Sequence, residues 1–217
     1  MSVKVRSQHH QFIIASQKKT MLKLITWYSQ RLESHPLTTK SITSGFISGS
    51  GDAICQLIVH ENNKKIMRNK GDDKTVNAKF HFDWLRTARF TFLGSVLIAP
   101  IVHHWYSFLN KKIPTQRINA VLKRTFYDQT ICAPLIMPTF ISSVMVLEGK
   151  KISDITYKME NEYFQTLVAN WMLWVPAQLI NFGFVPLRFQ VLFSNMTGMA
   201  WSIYISYKIH DNVDDLN

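Results

Sequence analysis

Cysteine is scarce in this chain of 217 residues, which has only Cys55 and Cys132. They lie in separate apolar segments, far apart, and no CxxC pair is present. Two small buried thiols are therefore a better interpretation than a disulfide or a metal site. The adjacent His103 and His104 cannot share a helix face, so we expect no metal site there either.

Motifs of catalytic and nucleic-acid-binding sites are also missing. The chain has no recognisable nucleophile, base and acid arrangement, no glycine-rich phosphate loop and no cofactor fingerprint. Its basic residues form no zinc finger, recognition helix or RNA-binding motif. We therefore expect no enzyme activity, no catalytic residue, no cofactor and no nucleic-acid partner.

Acidic residues are few, with 14 Asp and Glu against 25 Lys and Arg, which gives a formal net charge of +11. The basic residues flank apolar blocks, so anionic lipid headgroups are the expected partner. The first twenty residues contain Lys4, Arg6, Lys18 and Lys19 but no acid, which is typical of mitochondrial targeting segments. The apolar stretch at residues 12–15 is too short for a secretory signal.

Charge is almost absent from residues 170–207, where Arg188 is the only charged side chain. A helix needs about 20 apolar residues to cross a bilayer, and this segment is much longer. The chain has five uncharged or nearly uncharged stretches in all, of which the last two include this segment: residues 41–59, 90–109, 129–147, 163–187 and 189–207.

These stretches predict an all-α, polytopic transmembrane helical bundle with about four spanning helices. The bundle is one domain, residues 21–208, between a basic N-terminal segment (1–20) and a polar C-terminal tail (209–217). Two arrangements fit residues 189–207: a separate spanning helix after a chain reversal at Arg188, or the last part of one long kinked element.

Small and polar residues mark one face of the first stretch. Gly45 and Gly49 form a small-xxx-small pattern, which lets two helices approach closely in a membrane. Polar residues recur every four positions and must face protein or water, because a lipid-facing carboxylate is costly. They are Ser44, Ser48, Asp52 and Gln56.

Prolines predict irregular helices further along. We expect a kink at Pro134 and Pro138, and a bend or break near Pro176 and Pro186. Residues 148–162 carry apolar side chains at helical spacing among charges, which predicts a short amphipathic helix on the membrane surface. Residues 60–83 are charged and predict a loop.

Several motifs occur in an order that is specific to one family. The opening element has Trp27, Tyr28, His35, Pro36 and Lys40. The second and third stretches, with the residues just before them, contribute Arg86, Pro100, Trp105, Tyr106, Asp128 and Gln129. The last element is the most specific, with Asn170, Trp171, Trp174, Pro176, Gln178, Asn181, Pro186 and Trp201.

With these motifs, residues 21–208 resemble the Mpv/PMP or Sym-type family of small, nominally four-span membrane proteins. The resemblance implies a location in the mitochondrial inner membrane or the peroxisomal membrane. Motifs of both branches are present, and the basic, acid-free N-terminus favours mitochondria.

The resemblance also implies a function, since members are thought to form weakly selective pores for small solutes or ions. The candidate pore-lining residues would be Asp52, Gln56, Asp128, Gln129, Gln178, Asn181 and Arg188. The alternative is that these groups hold helices together, with Arg188 paired to a buried Asp. A structural role is favoured for the whole chain: an accessory subunit of a large inner-membrane complex, such as a respiratory complex. Its partners would be other membrane subunits or further copies of itself.

Overall fold

A computed structural model describes residues 2–69, 80–114 and 117–211, with side chains from residue 17 to 203 apart from 66, 67 and 69. The described residues form helices and no strand, as the apolar stretches predict. The helices are α1 (Ser2–Ser34), α2 (Pro36–Asn69), α3 (Trp84–Lys112), α4 (Ile118–Leu147), α5 (Ile152–Phe184) and α6 (Leu187–Asp211).

Three of these helices are long and apolar enough to cross a membrane: Pro36–Lys65 of α2, together with α3 and α4. Large apolar side chains on their outer surfaces are exposed, with Phe46 at 74% and Leu135 at 64%. Because water would not favour such surfaces, lipid is the environment that these helices fit. The all-α membrane bundle expected from the sequence is thus confirmed.

Both α3 and α4 contain a π-helical segment next to an Ala-Pro pair. Residues Leu93–Ile98 precede Ala99 and Pro100, and Asp128–Cys132 precede Ala133 and Pro134. Proline has no backbone N–H, so the regular hydrogen-bond ladder cannot pass through it unchanged. The wider turn accommodates this loss, and such turns are frequent at functional sites. The helices continue through Pro138 and Pro176.

The predicted short surface helix is not a separate element. Residues 148–151 form the turn after the end of α4 at Leu147, and Gly149 in this turn has a φ of +74°. Helix α5 then runs from Ile152 to Phe184 without interruption. Asp154 accepts a hydrogen bond from the Lys151 N–H at the start of α5. The prediction was wrong because no helix-breaking residue separates the charged first part of α5 from its apolar second part.

The two arrangements proposed for residues 189–207 are resolved in favour of a chain reversal. The helix breaks at Val185 and Pro186, and α6 begins at Leu187. Asn181 lies against Ser194 and Gly198 against Trp174, so α5 and α6 are antiparallel neighbours. The predicted loop at residues 60–83 begins later than expected, because α2 extends to Asn69. Residues 70–79 of this loop lie outside the described residues, as do residues 212–217 of the predicted tail.

Glycines allow α2 and α3 to pack closely against each other. A Cβ atom on Gly45 would lie 1.9 Å from Ser95 Oγ, and one on Gly49 would lie 2.3 Å from Thr91 Oγ1. From the opposite helix, a Cβ on Gly94 would lie 2.4 Å from Ser48 Oγ. Glycine has a hydrogen atom where other residues have Cβ, so glycine at these positions permits the short distance between the two helices.

Helix α1 includes residues of the predicted N-terminal segment and ends beside the bundle. Tyr28 donates a hydrogen bond to Thr43 of α2 and its ring stacks on Phe189 of α6. The apolar core lies among the other helices and consists of Val102, Tyr106, Leu109, Val121, Phe182 and Val191.

Candidate functional site

The first buried polar cluster, here called the Asp52 network, joins α2 to the start of α3. Asp52 Oδ2 accepts hydrogen bonds from Thr87 Oγ1 at 2.7 Å and from Gln56 Nε2 at 2.9 Å. Its Oδ1 lies 2.8 Å from Nε of Arg86. Gln56 Oε1 in turn accepts from the Asp83 N–H at 2.8 Å, at the N-cap of α3. The negative charge of Asp52 is therefore neutralised by a cation.

The two partners of this ion pair differ in exposure. The Asp52 side chain is 1% exposed, whereas that of Arg86 is 41% exposed and lies near the ring of Phe90, 5.9 Å from its centroid. Arg86 therefore reaches from the surface of the bundle to a carboxylate inside it.

The second cluster, here called the Asp128 network, links α3, α4, α5 and α6. Asp128 accepts hydrogen bonds from Trp105 Nε1 at 2.8 Å, from Gln129 Nε2 at 2.8 Å and from Gln178 Nε2 at 2.9 Å. All three donors are neutral, and Asp128 forms no ion pair within the part of the chain that the structure describes. Its charge is stabilised by dipoles alone.

Further hydrogen bonds extend the Asp128 network toward α6. Gln178 Nε2 also donates to the Tyr106 hydroxyl at 2.7 Å, and that hydroxyl lies 2.7 Å from Ser194 Oγ. Asn181 Nδ2 donates to Gln178 Oε1 at 2.9 Å and to Ser194 Oγ at 3.1 Å. These side chains connect all the helices that surround Asp128.

A cavity of about 490 Å³ lies in the bundle between the two networks. Asp52 and Arg86 line one part of it, and Asp128, Gln129 and Gln178 line another. Much of the remaining wall is apolar. It includes Phe90, Ile136, Met137, Phe140, Trp174, Met199 and both cysteines, Cys55 and Cys132.

Six of the seven predicted polar residues belong to the two networks, and the seventh, Arg188, lies elsewhere. Four of them line the cavity: Asp52, Asp128, Gln129 and Gln178. Gln56 and Asn181 are buried and support these residues through hydrogen bonds.

Arg188 was misplaced by the prediction. Its side chain is 45% exposed and pairs with Glu33 of α1, so it neither lines the cavity nor binds a buried Asp. The physical reason is its position in the first turn of α6, immediately after the break at Pro186, where the chain lies at the end of the bundle.

The tryptophans and prolines of the predicted signature also have identifiable places. Trp174 and Trp201 line the cavity, and Trp171 donates a hydrogen bond to the Gln129 carbonyl at 2.9 Å. Pro186 marks the break between α5 and α6.

Sequence reasoning missed some members of the networks. Arg86, Trp105 and Tyr106 were noted only as motif residues, although each contacts a buried polar group. Thr87 and Ser194 carried no signal, because a hydroxyl in an apolar helix commonly bonds to its own backbone. Within the described residues, no group of three or more His, Cys, Asp or Glu is arranged to hold a metal ion.

Comparison with known proteins agrees with the motif pattern. The model of the Mpv17 / PMP22 family matches residues 145–206. Protein SYM1 of Saccharomyces cerevisiae is 32% identical over 192 residues, which cover 86% of this chain and 90% of the relative. The chain belongs to the Mpv17/PMP22 family.

Other relatives of the Mpv17/PMP22 family are similar over a comparable length. Protein SYM1 of Candida albicans is 32% identical over 195 residues, or 84% of this chain and 95% of the relative. PXMP2/4 family protein 3 of Dictyostelium discoideum is 34% identical over 182 residues, or 83% and 88%. No solved structure matches this chain.

Membership of the Mpv17/PMP22 family supports an integral membrane protein of the mitochondrial inner membrane or the peroxisomal membrane. The two networks and the cavity are therefore features of a membrane-embedded bundle. Arg86 and Arg188, both partly exposed, lie toward its ends.

Proposed function

We propose that this chain is a non-enzymatic membrane protein that passes small solutes or ions, with the cavity as part of their path. The observation that carries the proposal is the position of Asp52, Asp128, Gln129 and Gln178 on the wall of one cavity. Polar groups inside a membrane bundle are costly, and they commonly mark substrate and ion pathways. Hydrogen bonding alone would require no such space beside them.

The two cysteines offer a direct test of this path. Cys55 and Cys132 are the only cysteines in the chain, and both line the cavity. The full chain would be purified, reconstituted into vesicles and assayed for solute flux and single-channel conductance. A small charged thiol reagent should reduce the flux of the wild type but not that of the Cys55→Ser/Cys132→Ser variant. Absence of flux from a folded wild type would contradict the proposal.

The mitochondrial inner membrane is the location that we propose for this function. The support is the basic, acid-free segment at the N-terminus with Lys4, Arg6, Lys18 and Lys19. Replacing these four residues by Gln should reduce recovery of the tagged chain in the mitochondrial fraction. Unchanged mitochondrial recovery, or recovery of the wild type with peroxisomes, would contradict this location.

A role as an accessory subunit is a second candidate, favoured by the surface of α1. Met21, Leu22, Leu24 and Ile25 are each more than half exposed, so this part of the helix offers an apolar surface. A partner subunit in the membrane would cover such a surface as well as lipid does. Gentle detergent extraction and native sizing tests this candidate: co-migration with a large assembly supports it, and migration as a small, partner-free species contradicts it.

A further inference from the structure

The cavity carries an excess of negative charge. Its charged lining residues, among those that the structure describes, are Asp52, Asp128 and Arg86. Arg86 is paired with Asp52 at 2.8 Å, so these two charges offset each other. The carboxylate of Asp128 has neutral donors around it and no cationic partner in the described residues. A cation is therefore the ligand charge that this cavity favours.

A second residue of the same wall, Gln129, has a buried oxygen that lacks a hydrogen-bond donor among the described residues. Gln129 is 5% exposed, and its Nε2 donates to Asp128, which leaves Oε1 as the acceptor of the amide. Within the described residues, no donor reaches this buried Oε1 atom. An uncompensated buried amide oxygen is unfavourable, because it has lost its hydrogen bonds to water without gaining others. A small shift of the Gln129 side chain would bring this oxygen to the cavity, where a ligand with N–H groups could satisfy it while pairing with Asp128.

The rest of the wall suits the apolar body of an organic ligand. Phe90, Phe140, Trp174, Ile136 and Met137 line the cavity, and aromatic faces attract cations as well as apolar groups. The volume of about 490 Å³ lies within the range of about 300–1,000 Å³ that holds drug-sized ligands.

From these observations we propose that the cavity binds an organic cation that has an ammonium head and an apolar, preferably aromatic, body. The ammonium group binds Asp128 and Gln129, and the body contacts Trp174 and Phe140. The inference rests on the proposed function in that it names the solute class of the same cavity. Binding itself does not require passage across the membrane, so the two can fail separately.

Three compounds of one shape provide the test: 2-phenylethylamine, its neutral N-acetyl derivative and the carboxylate 3-phenylpropionate. Binding to the purified full chain in detergent would be measured by titration calorimetry. We expect the amine to bind about 10- to 100-fold more tightly than either of the other two, because a hydrogen bond to a charged group is stronger than one between neutral groups. Equal binding of the three compounds to the wild type, or no binding of the amine, would overturn the inference.

A variant then locates the ammonium site. Asp128→Asn keeps the size of the side chain and removes its charge, so the preference for the amine should fall by at least about tenfold. Asp154→Asn, at the exposed start of α5, is the matched control and should retain it. Full amine preference in folded Asp128→Asn would overturn the assignment. Amine binding without flux would support this inference and contradict the proposed function. Flux without amine preference would support the proposed function and contradict this inference.

Discussion

Asp52 and Asp128 are buried to a similar degree, with 5% and 4% of each residue exposed, but different groups hold them. A guanidinium that reaches in from the surface neutralises Asp52, whereas indole and amide donors surround Asp128. The comparison shows that one bundle stabilises buried carboxylates in two ways. Only the second way leaves a net negative charge inside, because dipoles stabilise a charge without cancelling it.

The local backbone adds to this difference. Asp52 lies in the middle of the regular helix α2, close to the N-terminus of α3. Asp128 begins the π-helical segment of α4, ahead of the Ala-Pro pair. The wider turn presents Asp128 and Gln129, although adjacent in sequence, to the same cavity.

The largest effect is expected when Asp52 loses its cation. Arg86→Met leaves a buried carboxylate without a partner, and breaking a buried pair costs about 3–5 kcal/mol. Because the Arg86 side chain is 41% exposed, we expect the lower end, about 3 kcal/mol, by thermal or denaturant unfolding in detergent. Lys112→Met, at the exposed end of α3, is the control. Equal stability of the two variants would show that Asp52 does not depend on its cation.

A smaller loss is expected when the neutral donors of Asp128 are reduced. Gln178→Leu removes the amide that donates hydrogen bonds to Asp128 and Tyr106 and accepts one from Asn181. The loss of these hydrogen bonds should lower the unfolding free energy by about 2 kcal/mol. Gln165→Leu, on the exposed side of the same helix, should change it by less than about 0.5 kcal/mol. A loss as large as that of Arg86→Met would mean that the two networks do not differ in the way described.

The α2–α3 contact that supports the Asp52 network provides the next prediction. Gly45→Ala places a Cβ 1.9 Å from Ser95 Oγ and 3.0 Å from the Thr91 carbonyl oxygen, so the helices must separate. We expect a loss of about 1–2 kcal/mol in unfolding free energy.

The matched control is Gly198→Ala, whose Cβ would lie 3.8 Å from the ring of Trp174. It should be neutral or stabilising by up to about 1 kcal/mol, because alanine is the better helix former. A neutral Gly45→Ala would contradict the close approach of α2 and α3.

The smallest effect is expected at the exposed ion pair of Arg188 and Glu33. Arg188→Gln should cost less than about 1 kcal/mol in thermal unfolding, because solvent screens both charges. A cost equal to that of Arg86→Met would contradict the assignment of Arg188 to the outside of the bundle.

Much of the fold could be predicted because basic residues bracket the apolar stretches and because Gly45 and Gly49 have the spacing of a helix interface. The extent of α5 could not, since a surface segment and an apolar segment joined without a breaker look like two elements. The pairing of Asp52 with Arg86 also escaped prediction. The two residues are distant in sequence, and several other arginines could have served as the partner.

Among the site residues, burial could be predicted better than contact. Asp128 and Gln178 had to face inward, because a polar group that faces lipid is costly. That both contribute to one cavity depends on the antiparallel packing of α5 and α6 and on the π-helical segment, which the sequence pattern does not specify.

The most direct test of the account is the ion selectivity of the reconstituted full chain, measured from reversal potentials in a salt gradient. The wild type should conduct with a preference for cations. Asp128→Asn should largely remove that preference, and Asp52→Asn should reduce it to a similar extent, because the positive charge of Arg86 then offsets that of Asp128. Cation preference that stays the same in both folded variants would contradict the claim that these carboxylates line the solute path.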